Sequence, residues 1–381
     1  MVKALIAGPD GDDVFDWMLH GFTLYERTLR ARLDLSLTYA ACNDFDELDQ
    51  AIDSHQPDLL LFAFHWATEV DAAIEYLKKL KAQPGCPKLV FLDYYDPSST
   101  PFFPILPYID RYWKKQLLKP LARYNTEHWA GGNALAEMAH SINGVGVGDW
   151  NFGSQIPEGY SDRIELSWNL GSYRPIARFA RHPWLNRLQR SSKKTIDVFC
   201  RVSTTDASEA APNNIYTVHR QHCLEAMAQL EPHYTVESNR DGSRVPYSTF
   251  KRQLRQARIA FSPWGWGEIT DRDFRIVNAG ALLMKPDMSH IQTDPDIYIA
   301  GETYVPVRWD LADLKDQCDY YLSRPSEIQR ITENAYEAYQ LFFKDEVIVR
   351  KIETLVASLF ATETKRTRRS EPGDGNSLRL A

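Results

Sequence analysis

The sequence predicts two doubly wound α/β domains that face a cleft, followed by helices at the C-terminus. The chain has 381 residues, which is more than one hydrophobic core of ordinary size organises. In its first part, short apolar segments alternate with amphipathic ones, a pattern typical of parallel strands covered by helices on both faces. The same alternation starts again near residue 194, so we expect a second sheet in the second half.

The first domain is predicted to span residues 1–190. Its first strand is the apolar run 2–7, which ends in the turn sequence Gly-Pro-Asp-Gly at residues 8–11. The same patterns predict, in order, a helix at 12–30, a strand at 33–39, a helix at 45–53, a strand at 58–64, a helix at 71–81 and a strand at 88–92. From about residue 95 the alternation is lost, and aromatic runs and the glycine-rich stretch 144–148 take its place.

The second domain is predicted at residues 194–340, after a linker at 191–194. Its elements are, in order, a strand at 194–199, a helix at 214–230, a strand at 234–237, a helix at 247–257, a strand at 258–262, a helix at 272–279 and a strand at 281–285. In open α/β sheets, ligands bind outside the carboxyl ends of the strands. The cleft between the two domains is therefore the expected site.

The C-terminal part is predicted to be nearly all helical from 311 to 361, with Asp310 as the N-cap and the last helix at 341–361. Residues 362–381 contain five basic residues together with Gly, Pro and Ser, and they show no apolar periodicity. We interpret them as a disordered, solvated tail.

Composition and charge exclude several kinds of partner. The chain has 44 basic and 51 acidic residues and a net charge of −7, so it is a poor candidate for nucleic-acid binding, which needs a surplus of cations. No apolar run approaches the ~18 to 20 residues of a membrane span, and no signal peptide is recognised. We expect a cytoplasmic protein with at most peripheral contact at the inner membrane face, and we interpret the basic stretch 174–194 as a solvated face. The five cysteines form no CxxC pair and are expected to be reduced thiols.

The most informative segment is residues 261–287. A predicted strand leads into a loop with Gly265 and Gly267, then into a helix, and then into a strand that ends at Lys285. Glycine lets backbone approach a ligand closely, and a helix N-terminus offers unpaired N–H groups. Together with Arg272 in the first helical turn, Lys285 would bind a diphosphate.

Ordinary packing and capping explain the same residues equally well. Thr270 and Asp273 have the spacing of a capping box, and Asp271 and Arg275 form an i,i+4 pair of opposite charge. The spacing Asp271-x-Asp273 is that of a metal signature, but it lies at a helix start, where capping accounts for it. No metal is therefore expected.

The run 261–314 resembles the donor-binding region of GT-B glycosyltransferases. The likeness is greatest to the CgeB-like and group 1 families and looser to exostosin-type enzymes. The shared pattern is Ser-Pro-x-Gly-x-Gly-Glu, then Arg-Asp-Phe, then Ala-Gly-Ala-Leu-Leu, and later the segments 301–306 and 309–314. The resemblance implies a GT-B fold and a nucleotide-sugar donor, with no further cofactor. It also implies an acceptor that is a glycan, a lipid-linked molecule or a small molecule, and donor contacts from Gly265, Gly267, Glu268, Arg272 and Lys285.

One position departs from the family pattern. Relatives carry a carboxylate just after the Phe, where it accepts hydrogen bonds from ribose hydroxyls, but this chain has Arg275, which has no acceptor. Either Asp271, Asp273 or Glu302 replaces it, or the donor is held differently, or turnover has been lost. The alternatives to a transferase are therefore a catalytically silent relative that binds a nucleotide sugar or a glycan, and a nucleotide-sugar epimerase.

Transfer with inversion needs a base for the acceptor proton and a cation for the leaving diphosphate. Arg272 is the predicted cation. The predicted bases follow strands of the first domain; His65 is favoured because histidine titrates near neutral pH, and Asp93, Asp96 and Asp10 are the alternatives. Retaining chemistry would need no such base, so the stereochemistry stays open.

Further donor contacts are expected from one arginine, two acidic residues and the aromatic side chains. Arg201 follows the first strand of the second domain and either contacts the diphosphate or forms a surface salt bridge, and Asp271 and Asp273 begin the helix after the glycines. Arg220 and Lys251 lie on predicted helices and are interpreted as solvated. Aromatic residues make up 12% of the chain. Flat aromatic faces stack on nucleobases and sugar rings, so we expect five of them around the cleft. They are Trp264 and Trp266 beside the glycines, and Trp66, Tyr94 and Tyr95 on the first domain.

Overall fold

The computed structural model describes residues 1–126, 133–144, 153–190, 192–203, 215–239 and 243–367, with the backbone alone for residues 143 and 361–367. The predictions made for residues 145–148 and for the tail beyond residue 367 lie outside this range.

The first domain contains a parallel six-stranded sheet in the order β2-β1-β3-β4-β5-β7. The strands of this part of the chain are β1 (Val2–Gly8), β2 (Leu35–Ala41), β3 (Leu59–Phe62), β4 (Lys88–Asp93), β5 (Arg111–Lys114), β6 (Gln116–Leu118) and β7 (Ile164–Leu166). The helices are α1 (Asp13–Leu33), α2 (Phe45–His55), α3 (Val70–Lys81), α4 (Ala134–Asn143), α5 (Arg174–Arg181) and α6 (Pro183–Arg190).

The second domain contains a parallel five-stranded sheet in the order β13-β11-β10-β8-β9. The strands here are β8 (Ile196–Cys200), β9 (Val236–Ser238), β10 (Ala257–Phe261), β11 (Leu282–Pro286), β12 (Ile291–Thr293) and β13 (Val305–Val307). The helices are α7 (Ile215–Ala228), α8 (Tyr247–Gln256), α9 (Asp271–Ala279), α10 (Leu314–Leu322), α11 (Pro325–Lys344) and α12 (Val347–Thr367). β12 pairs antiparallel with β6 and so links the two domains.

The predicted fold class of two parallel α/β sheets followed by helices is confirmed. Each element predicted for residues 2–92 and 194–285 is present, with ends that differ by a few residues, because long apolar strands and amphipathic helices have strong periodicity. β5, β6 and β7 were not predicted. They have only three or four residues each, too few to show a periodic pattern in the sequence.

The C-terminal region differs from its prediction in three ways. It forms three helices, because Pro325 starts α11 and Glu346 adopts a positive φ of 50° between α11 and α12. Asp310 is not the N-cap; its carboxylate accepts from the backbone N–H of Ala312 at 3.1 Å, and α10 begins after Asp313. α12 extends to Thr367, so the first residues of the predicted tail are helical.

The last two helices return to the first domain. The Tyr25 hydroxyl of α1 donates to the carbonyl of Phe343 at 3.4 Å, and Lys351 Nζ of α12 donates to the carbonyl of Leu166 at 2.8 Å. The apolar face of α12 is buried in the same core as β1 and β4, through Ile348, Val349, Ile352, Leu355 and Leu359. The chain therefore crosses between the domains before β8 and again through α11, which packs on α5 as well as on α9 and β11. Within the described residues, no helix combines the length and apolar character that a bilayer crossing requires.

Candidate functional site

The candidate site lies where the carboxyl ends of the two sheets meet. After β10, residues 262–270 form a loop, here called the glycine loop, which carries Gly265 and Gly267 and leads into α9. The loop contacts residues 96–98 of the first domain, which follow β4. Opposed strand ends of this kind are where ligands of two-domain α/β proteins bind.

Two arginines converge behind the glycine loop. Arg220 of α7 is only 6% exposed, and its Nη1 donates to the carbonyl of Ser203 at 2.6 Å while its Nε donates to the carbonyl of Trp264 at 3.4 Å. Arg272 of α9 is half-buried, and its Nη1 lies 3.5 Å from the carbonyl of Pro263. Burial, and to a smaller extent the charge of Arg272, lower the pKa of Arg220 to about 10.

No carboxylate of the described residues forms an ion pair with Arg220 or Arg272. Two guanidinium groups held together without an anion are costly, because burial and mutual repulsion both disfavour the charged form. Arg220 gains some compensation from the Tyr216 ring, whose centroid lies 3.8 Å from its Cζ. An oxyanion bound between the arginines would supply the missing negative charge through charge-assisted hydrogen bonds.

His219 holds the glycine loop in place. It is buried on α7, and its Nε2 accepts from the backbone N–H of Trp264 at 3.1 Å, a role that only an unprotonated nitrogen can fill. Burial and the charges of Arg220 and Lys285 lower the pKa of His219 to about 3. The imidazole is therefore neutral and acts as a fixed acceptor for the loop.

The two glycines of the loop face different neighbours. A Cβ added to Gly265 would lie 3.6 Å from Nη2 of Arg220, an ordinary contact, so this glycine borders the arginine pair. A Cβ added to Gly267 would lie 2.0 Å from the carbonyl oxygen of Asp96. Gly267 is thus needed for close approach of the first domain, and the predicted donor contact at this residue is not supported by the geometry.

Glu268 also connects the domains. It is buried, and its carboxylate accepts from the backbone N–H and the hydroxyl of Ser98 at 2.9 and 2.6 Å and from Nε2 of Gln116 at 2.7 Å. Burial raises its pKa, and the Ser98 hydrogen bonds oppose that shift. All these partners belong to the first domain, so Glu268 is a contact between domains where the sequence predicted a donor contact.

Lys285 and Asp273 support the loop from below. Both are 0% exposed and form an ion pair at 3.2 Å, and Asp273 also accepts from the Ser262 hydroxyl at 2.5 Å and from the Tyr298 hydroxyl at 2.8 Å. Burial lowers the pKa of Lys285, and Asp273 opposes that shift. The capping box between Thr270 and Asp273 is present. Neither charged group is open to a ligand, in contrast to the prediction that both contact the donor.

Of the carboxylates expected to replace the family's ribose-binding residue, Asp271 and Asp273 are engaged elsewhere. Asp271 pairs with Arg275 at 2.7 Å, as its i,i+4 spacing predicts, and Arg275 also donates to the Tyr247 hydroxyl. Glu302 is exposed. Arg330 of α11 donates to the carbonyl of Gly301, the residue before Glu302, at 3.0 Å. Asp271 and Arg275 therefore form a closed pair on the outer face of α9.

Arg201 is held at the end of β8. Its Nη2 donates to Glu237 at 3.0 Å, so the ion-pair alternative for this residue is confirmed. Its Nε and Nη1 are buried and have no acceptor among the described residues. Arg201 thus keeps donor capacity on the same sheet edge as Arg220.

The aromatic residues divide into packed and accessible ones. Trp264 is 0% exposed and packs on Trp309 with ring centroids 5.2 Å apart, and Tyr94 is buried against Phe15. The prediction that these two present faces to a ligand is wrong, because their rings fill the core beneath the strand ends. Trp266 is half-buried and stacks on Tyr216 at 5.4 Å.

On the first domain, one predicted base is accessible and one is not. His65 is half-buried, and its Nδ1 accepts from the backbone N–H of Ala67 at 3.2 Å. It lies beside Trp66, which is 59% exposed, and it lines a cavity of about 150 Å³. Asp93 is buried and accepts from the Tyr112 hydroxyl at 2.6 Å and from Lys114 Nζ at 3.0 Å. This closed network argues against the prediction of Asp93 as a base.

Asp96 and Asp10 are the other two carboxylates that the sequence predicts as alternative bases. Asp96 pairs with Lys115 at 2.7 Å, and Asp10 is exposed beside Asn43, whose side chain accepts from the Asp10 backbone N–H at 3.1 Å. Tyr95, also half-buried, lies in the same segment as Asp96. The expectation that no metal is bound is not tested; among the described residues no cluster of three potential ligands occurs.

Sequence reasoning missed Arg220, which was interpreted as solvated, and did not consider His219. The signal that could have found them is helical spacing. Tyr216, His219, Arg220 and Cys223 recur at i, i+3, i+4 and i+7 and are all buried on one face of α7. A buried helical face that carries two polar, ionisable side chains indicates a site beneath it. Lys251, also interpreted as solvated, is indeed exposed.

Comparison with protein-family models and with curated protein sequences found no match. Solved structures share the architecture. A glycosyltransferase from Rickettsia africae aligns with a TM-score of 0.51 and 9% identity over 94% of this chain and 98% of its own. MnaA of S. aureus, solved with UDP, aligns at 0.48 and 9% identity, covering 99% and 100%, and HepE of Anabaena, solved with UDP-glucose, aligns at 0.47 and 10% identity, covering 94% and 100%. At these identities, what is shown is the fold: the chain has the two-domain GT-B architecture.

Proposed function

We propose that the protein is a GT-B glycosyltransferase that moves a sugar from a nucleoside-diphosphate donor to an acceptor hydroxyl. The observation that carries the proposal is the pair Arg220 and Arg272, held beside Gly265 without a carboxylate partner among the described residues. The pair lies at the strand ends that face the other domain, and a diphosphate would satisfy both guanidinium groups.

In this proposal, the arginines act on the leaving group. The bond between the anomeric carbon of the sugar and the diphosphate oxygen breaks, and the electron pair leaves with the diphosphate, where negative charge accumulates. Fixed guanidinium groups in a largely dry site stabilise that charge more than water does. The acceptor oxygen forms the new bond to the anomeric carbon and gives up its proton to a base. His65 is the accessible candidate on the first domain, and it takes the proton at Nδ1 once that nitrogen releases the backbone N–H of Ala67.

Several finer points belong to the same proposal. The glycine loop would hold the donor through Gly265, Trp266, Arg201 and Arg272, whereas Gly267 and Glu268 fix the first domain beside it. The CgeB-like group, a cytoplasmic location, and an acceptor that is a glycan, a lipid-linked molecule or a small molecule are the assignments that the sequence pattern favours. An epimerase would need an acid and a base beside the sugar. Near the arginines, His219 is occupied by the Trp264 amide and Asp273 by Lys285.

A second candidate is a protein that binds a nucleotide sugar without turnover. It is favoured by the closed network around Asp93 and by the Asp271–Arg275 pair, which together leave fewer groups for catalysis than the sequence predicts.

One experiment separates these candidates. The protein is incubated with a panel of nucleotide sugars, with and without candidate acceptors, while free nucleoside diphosphate and calorimetric binding are measured. We expect release that depends on an acceptor, and loss of that release in Arg272→Ala with an unchanged circular dichroism spectrum. Arg324→Ala is the matched control, because Arg324 lies over the ring of Tyr320 at the end of α10.

Binding without release would support the silent candidate, and a changed sugar without release would support an epimerase. If Arg272→Ala keeps full turnover while remaining folded, the diphosphate role of the arginine pair is wrong.

A further inference from the structure

A basic segment of the chain stands out against its net negative charge. Between Glu165 and Asp197 there is no acidic residue, but there are five arginines and two lysines. In the structure this segment forms α5 and α6, which precede the crossing to the second domain. A run of one sign in a chain of net charge −7 creates a local positive potential.

Both helices are amphipathic and bury one face. On α5, Ile176, Ala177 and Ala180 are buried, while Arg178 and Arg181 are exposed. On α6, Asn186 is buried, and its Nδ2 donates to the carbonyl of Asn278 on α9 at 2.9 Å. Each helix is therefore docked firmly on the protein by one side and presents the other outward.

The outward side of α6 is apolar as well as basic. Trp184 is 64% exposed and Leu188 is 68% exposed, and Arg187 is exposed beside them. The positions 184, 187 and 188 are spaced i, i+3 and i+4, so the three side chains lie on one face of the helix. We call Arg178, Arg181, Trp184, Arg187 and Leu188 the basic surface.

The arginines of the basic surface are not neutralised within the protein. None of them takes part in an ion pair between described residues. Arg178 lies 4.7 Å from the ring centroid of Phe179 and Arg181 lies 5.9 Å from that of Tyr25, contacts that leave their charge uncompensated. Arg190 differs, because it lies over the ring of Tyr336 and near Glu333, and we leave it out of the surface.

We propose that the basic surface docks the protein on a membrane that contains anionic lipid. Arginines attract lipid phosphates, a tryptophan is stable at the boundary of headgroups and acyl chains, and a leucine inserts beside it. A nucleic acid would use the arginines but would leave Leu188 exposed to water, so the apolar pair favours lipid. This inference is independent of the proposed enzymatic function, since none of its residues belongs to the arginine site.

The test is co-sedimentation with vesicles of phosphatidylcholine, with or without phosphatidylglycerol, at low and high salt. We expect binding only when phosphatidylglycerol is present, and weaker binding at high salt. In the double variant Trp184→Ser with Leu188→Ser, we expect vesicle affinity to fall by about tenfold or more, because the inserted apolar area is lost. In Arg178→Gln with Arg187→Gln, we expect about fivefold weaker binding for each arginine, from about 1 kcal/mol per cation near an anionic surface.

The matched control is Tyr320→Ser with Arg324→Gln, which removes an exposed aromatic side chain from α10 and an exposed arginine from the turn that follows it. It should bind vesicles like the unaltered protein. All substituted residues are on the surface, so circular dichroism should be unchanged. The proposal is overturned if the unaltered protein does not sediment with phosphatidylglycerol vesicles. It is also overturned if the variant that lacks Trp184 and Leu188 binds phosphatidylglycerol vesicles normally. A third contrary result is that duplex DNA competes with the vesicles equally well for that variant and for the unaltered protein, because binding would then not depend on the apolar pair.

Discussion

At the scale of single residues, the site depends on side chains whose charge has no partner among the residues that the structure describes. Arg220 and Arg272 are of this kind, whereas Lys285, Asp273, Asp93 and Glu268 each have partners within 3.3 Å. Sequence spacing identifies charged residues near a strand end. It does not show whether such a residue is buried in an ion pair or is accessible to a ligand. That distinction separates the arginines from the other predicted site residues.

Arg220→Gln should weaken binding of a nucleoside diphosphate. The loss of a charge-assisted contact costs about 1.5–3 kcal/mol, which corresponds to roughly 10- to 150-fold in the dissociation constant measured by calorimetry. Removal of a buried cation that repels Arg272 should leave the folded state as stable as before, or more stable.

The control for Arg220 is Lys251→Gln, which removes an exposed cation on the neighbouring helix α8 and should not change the affinity. Equal affinities of Arg220→Gln and the unaltered protein would show that the diphosphate, if bound, is held elsewhere.

At the scale of elements, the glycine loop has two functions, each carried by one glycine. Periodicity predicts the strand and the helix on either side of it correctly, because their patterns are local. The loop itself is shaped by residues 96–98 and by β6 of the other domain, which are far away in sequence, and no local pattern reveals such a contact. For the same reason β12, which pairs with β6, was not predicted.

The two glycines provide a matched pair of substitutions. Gly267→Ala should lower the free energy of unfolding by about 1–3 kcal/mol, as expected when a methyl group is forced into packed backbone. Its Cβ would lie 2.0 Å from the carbonyl oxygen of Asp96. Gly265→Ala should have little effect on stability, because its Cβ would meet Arg220 at an ordinary distance of 3.6 Å.

Urea unfolding followed by tryptophan fluorescence measures both changes. Equal stabilities of the two variants would mean that the domains do not approach each other at Gly267 in solution.

At the scale of the whole molecule, the architecture was predictable and the way the domains are joined was not. Two parallel sheets follow from two series of strands and helices. The return of α11 and α12 to the first domain has no signature in the helices themselves, since an amphipathic helix does not specify which domain its apolar face covers. The burial of His219 and His290 is likewise apparent only in the folded chain, and it makes the free energy of unfolding depend on pH.

Stability should decrease as the pH falls below neutrality. Burial lowers the pKa of His219 to about 3 and that of His290 to about 4, each below the ordinary value of 6.5. The unfolded chain therefore takes up protons near pH 6.5 that the folded chain does not accept. The free energy of unfolding should fall by up to about 1.4 kcal/mol per pH unit for each histidine, between about pH 6.5 and the lowered pKa.

The measurement is urea unfolding between pH 7 and pH 5 for the unaltered protein and for His219→Gln, whose amide oxygen also accepts a hydrogen bond. The variant should show a smaller dependence on pH, and the exposed His55→Gln should behave like the unaltered protein. Identical pH dependence in all three proteins would contradict a neutral, buried His219.

The position of α12 has a consequence for how the protein is made. The first domain is complete on the ribosome long before residues 347–367 emerge, yet Ile348, Ile352 and Leu355 are part of its core. Until residues 347–367 have emerged, the surface of α1 that later packs against α12 stays open to water or to a chaperone. Helix α12 therefore completes the first domain late in its synthesis, and a chain that stops after α11 leaves that domain with an uncovered apolar face.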